Sequence, residues 1–131
     1  MVIDTSALLA ILQQEPEAAV YAAAIHRDPV RLVSAVSALE AAIVIEARKG
    51  PSGGRALDLL LYRANAEVIP FTAEQFQAAR NAYRKYGKGR HRARLNLGDC
   101  CTYALAQVSV EKLLAKGSDF PETGIPMVAF E

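Results

Sequence analysis

The stretch Met1-Val2-Ile3-Asp4-Thr5-Ser6 decides how the rest of the chain is read. A short apolar run meets a carboxylate and two hydroxyls, and Ala7-Leu8-Leu9-Ala10-Ile11-Leu12 continues as a helix former. The pattern is that of a buried strand feeding directly into a helix. Asp4 then stands at the carboxyl end of a strand and at the positive end of a helix dipole, where open α/β sheets place ligands and charged chemistry. Asp4, Thr5 or Ser6 can equally do no more than cap that helix, because each side chain can accept a bond from an orphan backbone N–H. The choice depends on whether other acids recur in the same kind of place.

Beyond this stretch, Pro16 breaks the pattern, Glu17 to His26 is alanine-rich and helical, and Arg31-Leu32-Val33 is a short strand. Val36, Leu39, Ile43 and Ala47 recur at helical spacing, so Ile43-Val44-Ile45 reads as helix despite its β-branching. Gly50-Pro51-Ser52-Gly53-Gly54 is the clearest loop, of a length that joins two helices. A stripe of Leu57, Leu60, Leu61 and Ala64 follows, then a strand at Glu67-Val68-Ile69-Pro70-Phe71. Thr72-Ala73-Glu74-Gln75 has capping-box form and opens a helix whose Phe76, Ala79, Tyr83 and Tyr86 share a face. Leu97-Gly98-Asp99 starts a further helix, and Lys112 to Lys116 is strand-like. Ile125 to Phe130 is a last strand, in which Pro126 is tolerated at an edge. Short, mostly non-alternating apolar strands separated by helices predict a parallel sheet covered on both faces. The expected fold is a three-layer α/β/α sandwich with a mostly parallel sheet of about five strands, residues 1–131 forming one domain.

The 131 residues are 52% hydrophobic and 22% charged, an ordinary composition for a soluble globular domain rather than a disordered or fibrous one. No run approaches the roughly 18 apolar residues of a membrane span, and the amino terminus lacks a secretion-signal pattern, so a cytoplasmic location is expected. Cys100 and Cys101 are adjacent, the wrong spacing for a zinc knuckle or a redox pair, and read as reduced, half-buried apolar residues. His26 and His91 read as solvated or loop histidines. The chain carries no nucleotide P-loop, and its glycine-spaced segment at Gly87 follows a helix rather than a strand, against a dinucleotide loop.

Four acids lie where strands end or helices begin: Asp4, Glu40, Asp99 and Asp119. Each has a local explanation, Glu40 as the return arm of a capping box from Ser37, Asp99 as a helix cap and Asp119 as a turn residue. Parallel strands, however, put their carboxyl ends on one edge of the sheet, so Asp4 and Asp119 fall close, with Glu40 and Asp99 able to lean in. Two like charges about 4 Å apart at an effective dielectric of about 20 repel by about 4 kcal/mol. Either the carboxylates take up protons or a hard divalent cation sits among them, and an all-oxygen site suits Mg²⁺ or Mn²⁺.

Of the fifteen Lys and Arg residues, Arg80, Arg84, Lys85, Lys88, Arg90, Arg92 and Arg94 fall in one segment with no acid among them. Tyr83, Tyr86 and His91 are interleaved. The net charge is only +1, so this one-signed run directly upstream of Asp99 stands out as a surface for a polyanion. Its cations would offset the repulsion of phosphates by bare carboxylates, and its rings could stack on unpaired bases. Docking of an acidic protein segment is another use of the same surface.

Val2-Ile3-Asp4-Thr5-Ser6-Ala7-Leu8, Ser37-Ala38-Leu39-Glu40, Leu95-Asn96-Leu97-Gly98-Asp99-Cys100 and Lys116-Gly117-Ser118-Asp119-Phe120 together resemble the successive signature segments of PIN-domain ribonucleases. In particular they resemble the VapC toxins of bacterial toxin-antitoxin pairs. The resemblance spans nearly the whole chain, in order and in register. It implies that Asp4, Glu40, Asp99 and Asp119 are the metal-binding and catalytic acids, with a supporting hydroxyl at Ser6. It implies Mg²⁺ or Mn²⁺ as cofactor, single-stranded or looped RNA as substrate, a homodimer, and inhibition by a cognate antitoxin protein. Ala115, Gly117 and Ser118 stand where many members carry an extra acid or threonine, which bears on whether a second ion binds. On this reading Asp4, Asp99 and Glu40 hold a cation that activates water, Asp119 orients that water or helps to bind a second cation, and Arg84, Lys85, Lys88, Arg90, Arg92 and Arg94 position the RNA. The alternative is a catalytically silent RNA-binding or protein-docking module on the same fold. A receiver-like phosphoacceptor is disfavoured, since it needs an aspartate where this chain has Pro70-Phe71-Thr72.

Overall fold

A computed structural model describes residues 1–130, leaving Glu131 of the expected domain outside the described residues. Four strands, β1 (Val2–Ile3), β2 (Leu32–Ser34), β3 (Glu67–Ile69) and β4 (Leu113–Leu114), form one sheet in the order β3-β2-β1-β4. Every pairing is parallel. The helices are α1 (Thr5–Leu12), α2 (Ala18–Arg27), α3 (Ala35–Arg63), α4 (Ala73–Tyr86) and α5 (Leu97–Ser109), and a 3₁₀ turn covers Pro121–Thr123.

Two apolar cores flank the sheet, because successive strand side chains point to opposite faces. Ile3, Val33 and Leu114 face α1, α2 and α3. Val2 and Leu113 face α4 and α5. The expected three-layer sandwich is therefore present, and β1 and β4 are buried on both sides.

The fifth strand is reduced to a single parallel bridge between Leu113 and Met127. The Leu113 N–H donates to the Pro126 carbonyl at 3.0 Å and the Val128 N–H donates to the Leu113 carbonyl at 2.9 Å. Pro126 brings no N–H, so the ladder cannot extend at this edge.

The loop expected at residues 50–54 also contracts. Gly50 alone leaves helical geometry, at φ 64° and ψ −156°, a left-handed value that favours glycine. Pro51 then takes the first turn of the second half of α3, where a missing N–H costs nothing. A Cβ on Gly53 would come within 2.6 Å of the Ile45 carbonyl oxygen, so this glycine lets the two halves pack closely.

The core-facing stripe of α3 is not Val36, Leu39, Ile43 and Ala47. Leu39 and Ile43 are each 60% exposed, whereas Ser37, Ala41 and Ile45 are buried. Both rows keep helical spacing, and the inward row is small at Ser37 and Ala41 and bulky only at Ile45, which joins the core against α1 and α2. On α4, Ala79 is buried but Phe76 and Tyr83 stay about half exposed, and Gln75 and Ala82 complete the inner face. The Thr72 capping box is half formed. Thr72 accepts the Gln75 N–H at 3.2 Å, while the Gln75 side chain donates instead to the Pro70 carbonyl at 3.0 Å.

Candidate active site

Asp4 leaves β1 and caps α1. Its Oδ2 accepts the Ser6 N–H at 3.0 Å, and its Oδ1 accepts the Thr102 hydroxyl of α5 at 2.7 Å. Capping and a place at the sheet edge thus hold together, with Asp4 only 4% exposed. Ser6 Oγ accepts the Lys116 N–H at 2.9 Å, which ties the start of α1 to the chain leaving β4. The Asp4 N–H itself donates to the Leu114 carbonyl at 2.9 Å, so the ends of β1 and β4 adjoin.

Glu40 does not belong to a capping box. The N-cap of α3 is Ser34, whose hydroxyl oxygen accepts the Val36 N–H at 3.2 Å, and Glu40 lies a turn further on. Thr5 Oγ1 donates to the Ser37 carbonyl at 2.9 Å and lies 3.2 Å from Glu40 Oε1. Burial raises the pKa of Glu40, the Thr5 hydroxyl opposes that rise, and the charge of Asp4 adds to it. On the far side the carboxylate lies against Gly98, where any Cβ would overlap both of its oxygens.

Asp99 is both cap and candidate ligand. Asn96 Oδ1 accepts the Asp99 N–H at 2.9 Å, and Asp99 Oδ2 accepts the Asn96 N–H at 3.1 Å, a complete capping box. Its carboxyl pKa is nevertheless pushed up to about 6, by burial first and by the charges of Asp4, Asp119 and Glu40, against the Asn96 N–H. The four acids therefore share one electrostatic field. Asp119 is exposed, two residues beyond Gly117, which turns the chain at φ 100°.

Among the described residues, none of the four acids is ion-paired. Lys116 is committed to Glu15 and Glu17 at 2.8 and 3.2 Å, and Arg92 to Glu122 at 2.6 Å. The donor set is all carboxylate oxygen, the chemistry that suits a hard divalent ion. Among the described residues no three acidic, histidine or cysteine side chains already form a closed ligand set.

Comparison with known proteins decides the family. The PIN domain model matches residues 1–126. The chain is 57% identical over 129 residues to ribonuclease VapC30 of Mycobacterium tuberculosis, covering 98% of each protein. It belongs to the PIN-domain family, among the VapC ribonucleases. The fold is similar to that of M. tuberculosis VapC20, a sarcin-ricin loop cleaving toxin, with a TM-score of 0.79, 17% identity and coverage of 99% and 98% of the two chains. It is also similar to a chain of a toxin-antitoxin complex from Klebsiella pneumoniae, with a TM-score of 0.69, 17% identity and coverage of 91% and 88%.

In this VapC-family chain, Ser6 bonds the backbone after β4, and the hydroxyls that touch the acids directly are Thr5 and Thr102. Thr102 was not singled out from the sequence, Ser37 was read there only as a helix cap, and Gly98 only as part of a helix start. The signal was present, since Ser37 lies three residues before Glu40 and Thr102 three residues after Asp99, one helical turn in each case.

The basic segment forms an ordered loop between α4 and α5. It is closed by the Lys88 N–H donating to the Leu95 carbonyl and the Leu95 N–H to the Tyr86 carbonyl, both at 2.9 Å, and Ala93 and Leu95 are buried anchors. Tyr86 packs against His91 and Tyr103, with ring centroids 5.1 and 5.8 Å away. Arg90 lies 5.5 Å above the Tyr83 ring. Arg84, Lys85, Lys88 and Arg94 are exposed. The Arg92–Glu122 pair joins this loop to the 3₁₀ turn just beyond Asp119. Cys100 and Cys101 are free and buried, and burial pushes the Cys100 thiol up to about 11, so neither is a nucleophile candidate.

Proposed function

We propose that this chain is a divalent-metal-dependent endoribonuclease acting in the cytoplasm as the toxin of a toxin-antitoxin pair. The observation that supports the proposal is that Asp4, Glu40, Asp99 and Asp119 have no cationic partner among the described residues, while the charges of the other three add to burial in pushing the Asp99 carboxyl up to about 6. Asp4, Asp99 and Glu40 would hold Mg²⁺ or Mn²⁺, with Asp119 beside them. When bound, the ion supplies a Lewis acid for the scissile phosphate and lowers the pKa of a water. The chain's own residues do the rest. Gly98 leaves room for the Glu40 carboxylate, Thr5 and Thr102 orient Glu40 and Asp4, and the Asn96 cap fixes Asp99. The exposed cations Arg84, Lys85, Lys88 and Arg94 draw the RNA backbone in, with Arg90 and Arg92 at the same face.

A homodimer and an antitoxin partner belong to the same proposal. An open groove of about 410 Å³ lined by Phe71, Phe76, Tyr83 and Leu97 adjoins the start of α5. Leu39 and Ile43 add exposed apolar surface on α3. Surface of this kind favours association, which sedimentation of the purified chain measures.

Activity is tested on total RNA with Mg²⁺ or Mn²⁺ against the same reaction with chelator, for the wild type and for Asp4→Asn, Glu40→Gln and Asp99→Asn. Metal-dependent cleavage lost in folded variants supports the proposal. Salt-sensitive RNA binding that survives chelation, without cleavage, would support the silent binding module instead.

A further inference from the structure

Thr102 and Ser37 are both completely buried where α3 and α5 meet. Valine and alanine would fill the same volumes without a hydroxyl, and core positions between packed helices ordinarily carry such residues. The two hydroxyl oxygens lie 2.8 Å apart, and Thr102 Oγ1 lies 2.7 Å from Asp4 Oδ1.

These contacts fix the proton order. An ionised carboxylate only accepts, so the single Thr102 proton goes to Asp4 Oδ1. The Ser37 hydroxyl must then donate to Thr102 Oγ1. The result is a directed chain, Ser37 to Thr102 to Asp4, with each donor strengthening the next. The Ser37 carbonyl closes the arrangement on the other side by accepting from Thr5, whose hydroxyl also reaches Glu40. One buried set of hydroxyls thus joins the elements that carry Asp4, Glu40 and Asp99.

We propose that the Ser37–Thr102 pair is a positioning device that holds the Asp4 carboxylate in the orientation from which it binds the divalent ion. The proposal rests on the metal reading above. With Oδ2 held by the Ser6 N–H and Oδ1 by Thr102, the carboxylate cannot rotate, and each oxygen keeps a lone pair for an ion. Residues that orient a ligating carboxylate in this way typically change metal affinity by about 10- to 100-fold when removed.

The test measures Mn²⁺ binding to the full chain by the electron paramagnetic resonance signal of the free ion, with thermal unfolding of the metal-free proteins alongside. Thr102→Val keeps the shape and removes the donor, so the dissociation constant rises about 10- to 100-fold. Thr102→Ser keeps the donor and loses the methyl group, so it binds Mn²⁺ near the wild-type level whatever its unfolding midpoint. Should Thr102→Val fail to fold, Ser37→Ala, which removes only the upstream donor, gives a smaller loss in the same direction. Wild-type affinity in Thr102→Val, or in Ser37→Ala where that variant stands in, overturns the proposal. Equal weakness of Thr102→Ser and Thr102→Val overturns it as well, since packing would then be the cause. A wild-type chain that binds no Mn²⁺ overturns the metal reading first and this proposal with it.

Discussion

Gly98 is the residue whose missing side chain leaves room for the Glu40 carboxylate. A methyl group there would overlap both oxygens of Glu40, yet the position is helical and alanine suits a helix better than glycine by about 1 kcal/mol. Gly98→Ala is therefore expected to remain folded, by circular dichroism, while displacing Glu40. RNA cleavage falls about 100-fold, the scale of a misplacement of about 1 Å in a catalytic arrangement. Asp99 gives the complementary prediction. Its folded pKa of about 6 lies above the unfolded aspartate value, so between about pH 4 and pH 6 the folded state binds more protons than the unfolded state. In the metal-free protein the stability associated with this group is present at pH 4 and lost as the pH rises through about 6. Asp99→Asn keeps an acceptor for the Asn96 N–H and removes the charge, so it should unfold at a higher temperature than the wild type at pH 7.5 and at a similar temperature at pH 4. A residue that served only as a charged cap would give the opposite order at pH 7.5. The sequence drew attention to Asp4, Asp99 and Asp119 because each follows a strand or opens a helix, and to Glu40 through an expected capping box that α3 does not form. Thr102 and Gly98 did not stand out, because a buried hydroxyl and an obligatory gap are defined by what lies across from them.

At the scale of elements, the loop between α4 and α5 is anchored by Ala93 and Leu95 and displays its cations outward. Lys88 and Arg94 are free to meet phosphates, whereas Arg92 is held by Glu122. Replacing Lys88 and Arg94 together by alanine is expected to raise KM for RNA with little change in kcat. The salt dependence of RNA binding should become shallower by about one unit for each phosphate that the variant no longer neutralises. Arg92→Ala alone should weaken binding less, a difference that filter binding at several salt concentrations resolves. The one-signed charge run showed the existence of this loop in advance, but which of its cations are free depended on partners such as Glu122 and Tyr83 that are distant or on another element. The same limit explains α3. Two rows of apolar residues share its helical spacing, and the sequence pattern favoured the bulky row of Leu39 and Ile43, whereas the buried row is Ser37, Ala41 and Ile45. The glycines at 53 and 54 read as loop because their role is to let two helical segments approach, which periodicity does not record.

For the whole molecule, parallel topology is what brings residues distant in the chain to one edge of the sheet. Asp4 and Asp119 lie 115 positions apart in the chain, yet β1 and β4 are hydrogen-bonded neighbours whose carboxyl ends share an edge. This much followed from short, continuous apolar strands separated by helices. The shortfall was at the border, where Pro126 limits the last strand to one bridge. If the edge gathers the acids around an ion, the ion should stabilise the whole fold, by about 2.7 kcal/mol at a hundred times its dissociation constant. That increment, read as a rise in unfolding temperature on adding Mg²⁺, should be larger at pH 7.5 than at pH 5, where Asp99 is protonated and competes with the metal. The most direct measurement is anomalous diffraction from a crystal of the chain grown with Mn²⁺. The expected result is a single strong peak at the rim, within about 2.0–2.3 Å of carboxylate oxygens of Asp4 and Asp99, with Glu40 or Asp119 turned towards it. A rim without a peak at millimolar Mn²⁺, with the four carboxylates still apart, would contradict the metal site from which the proposed activity follows.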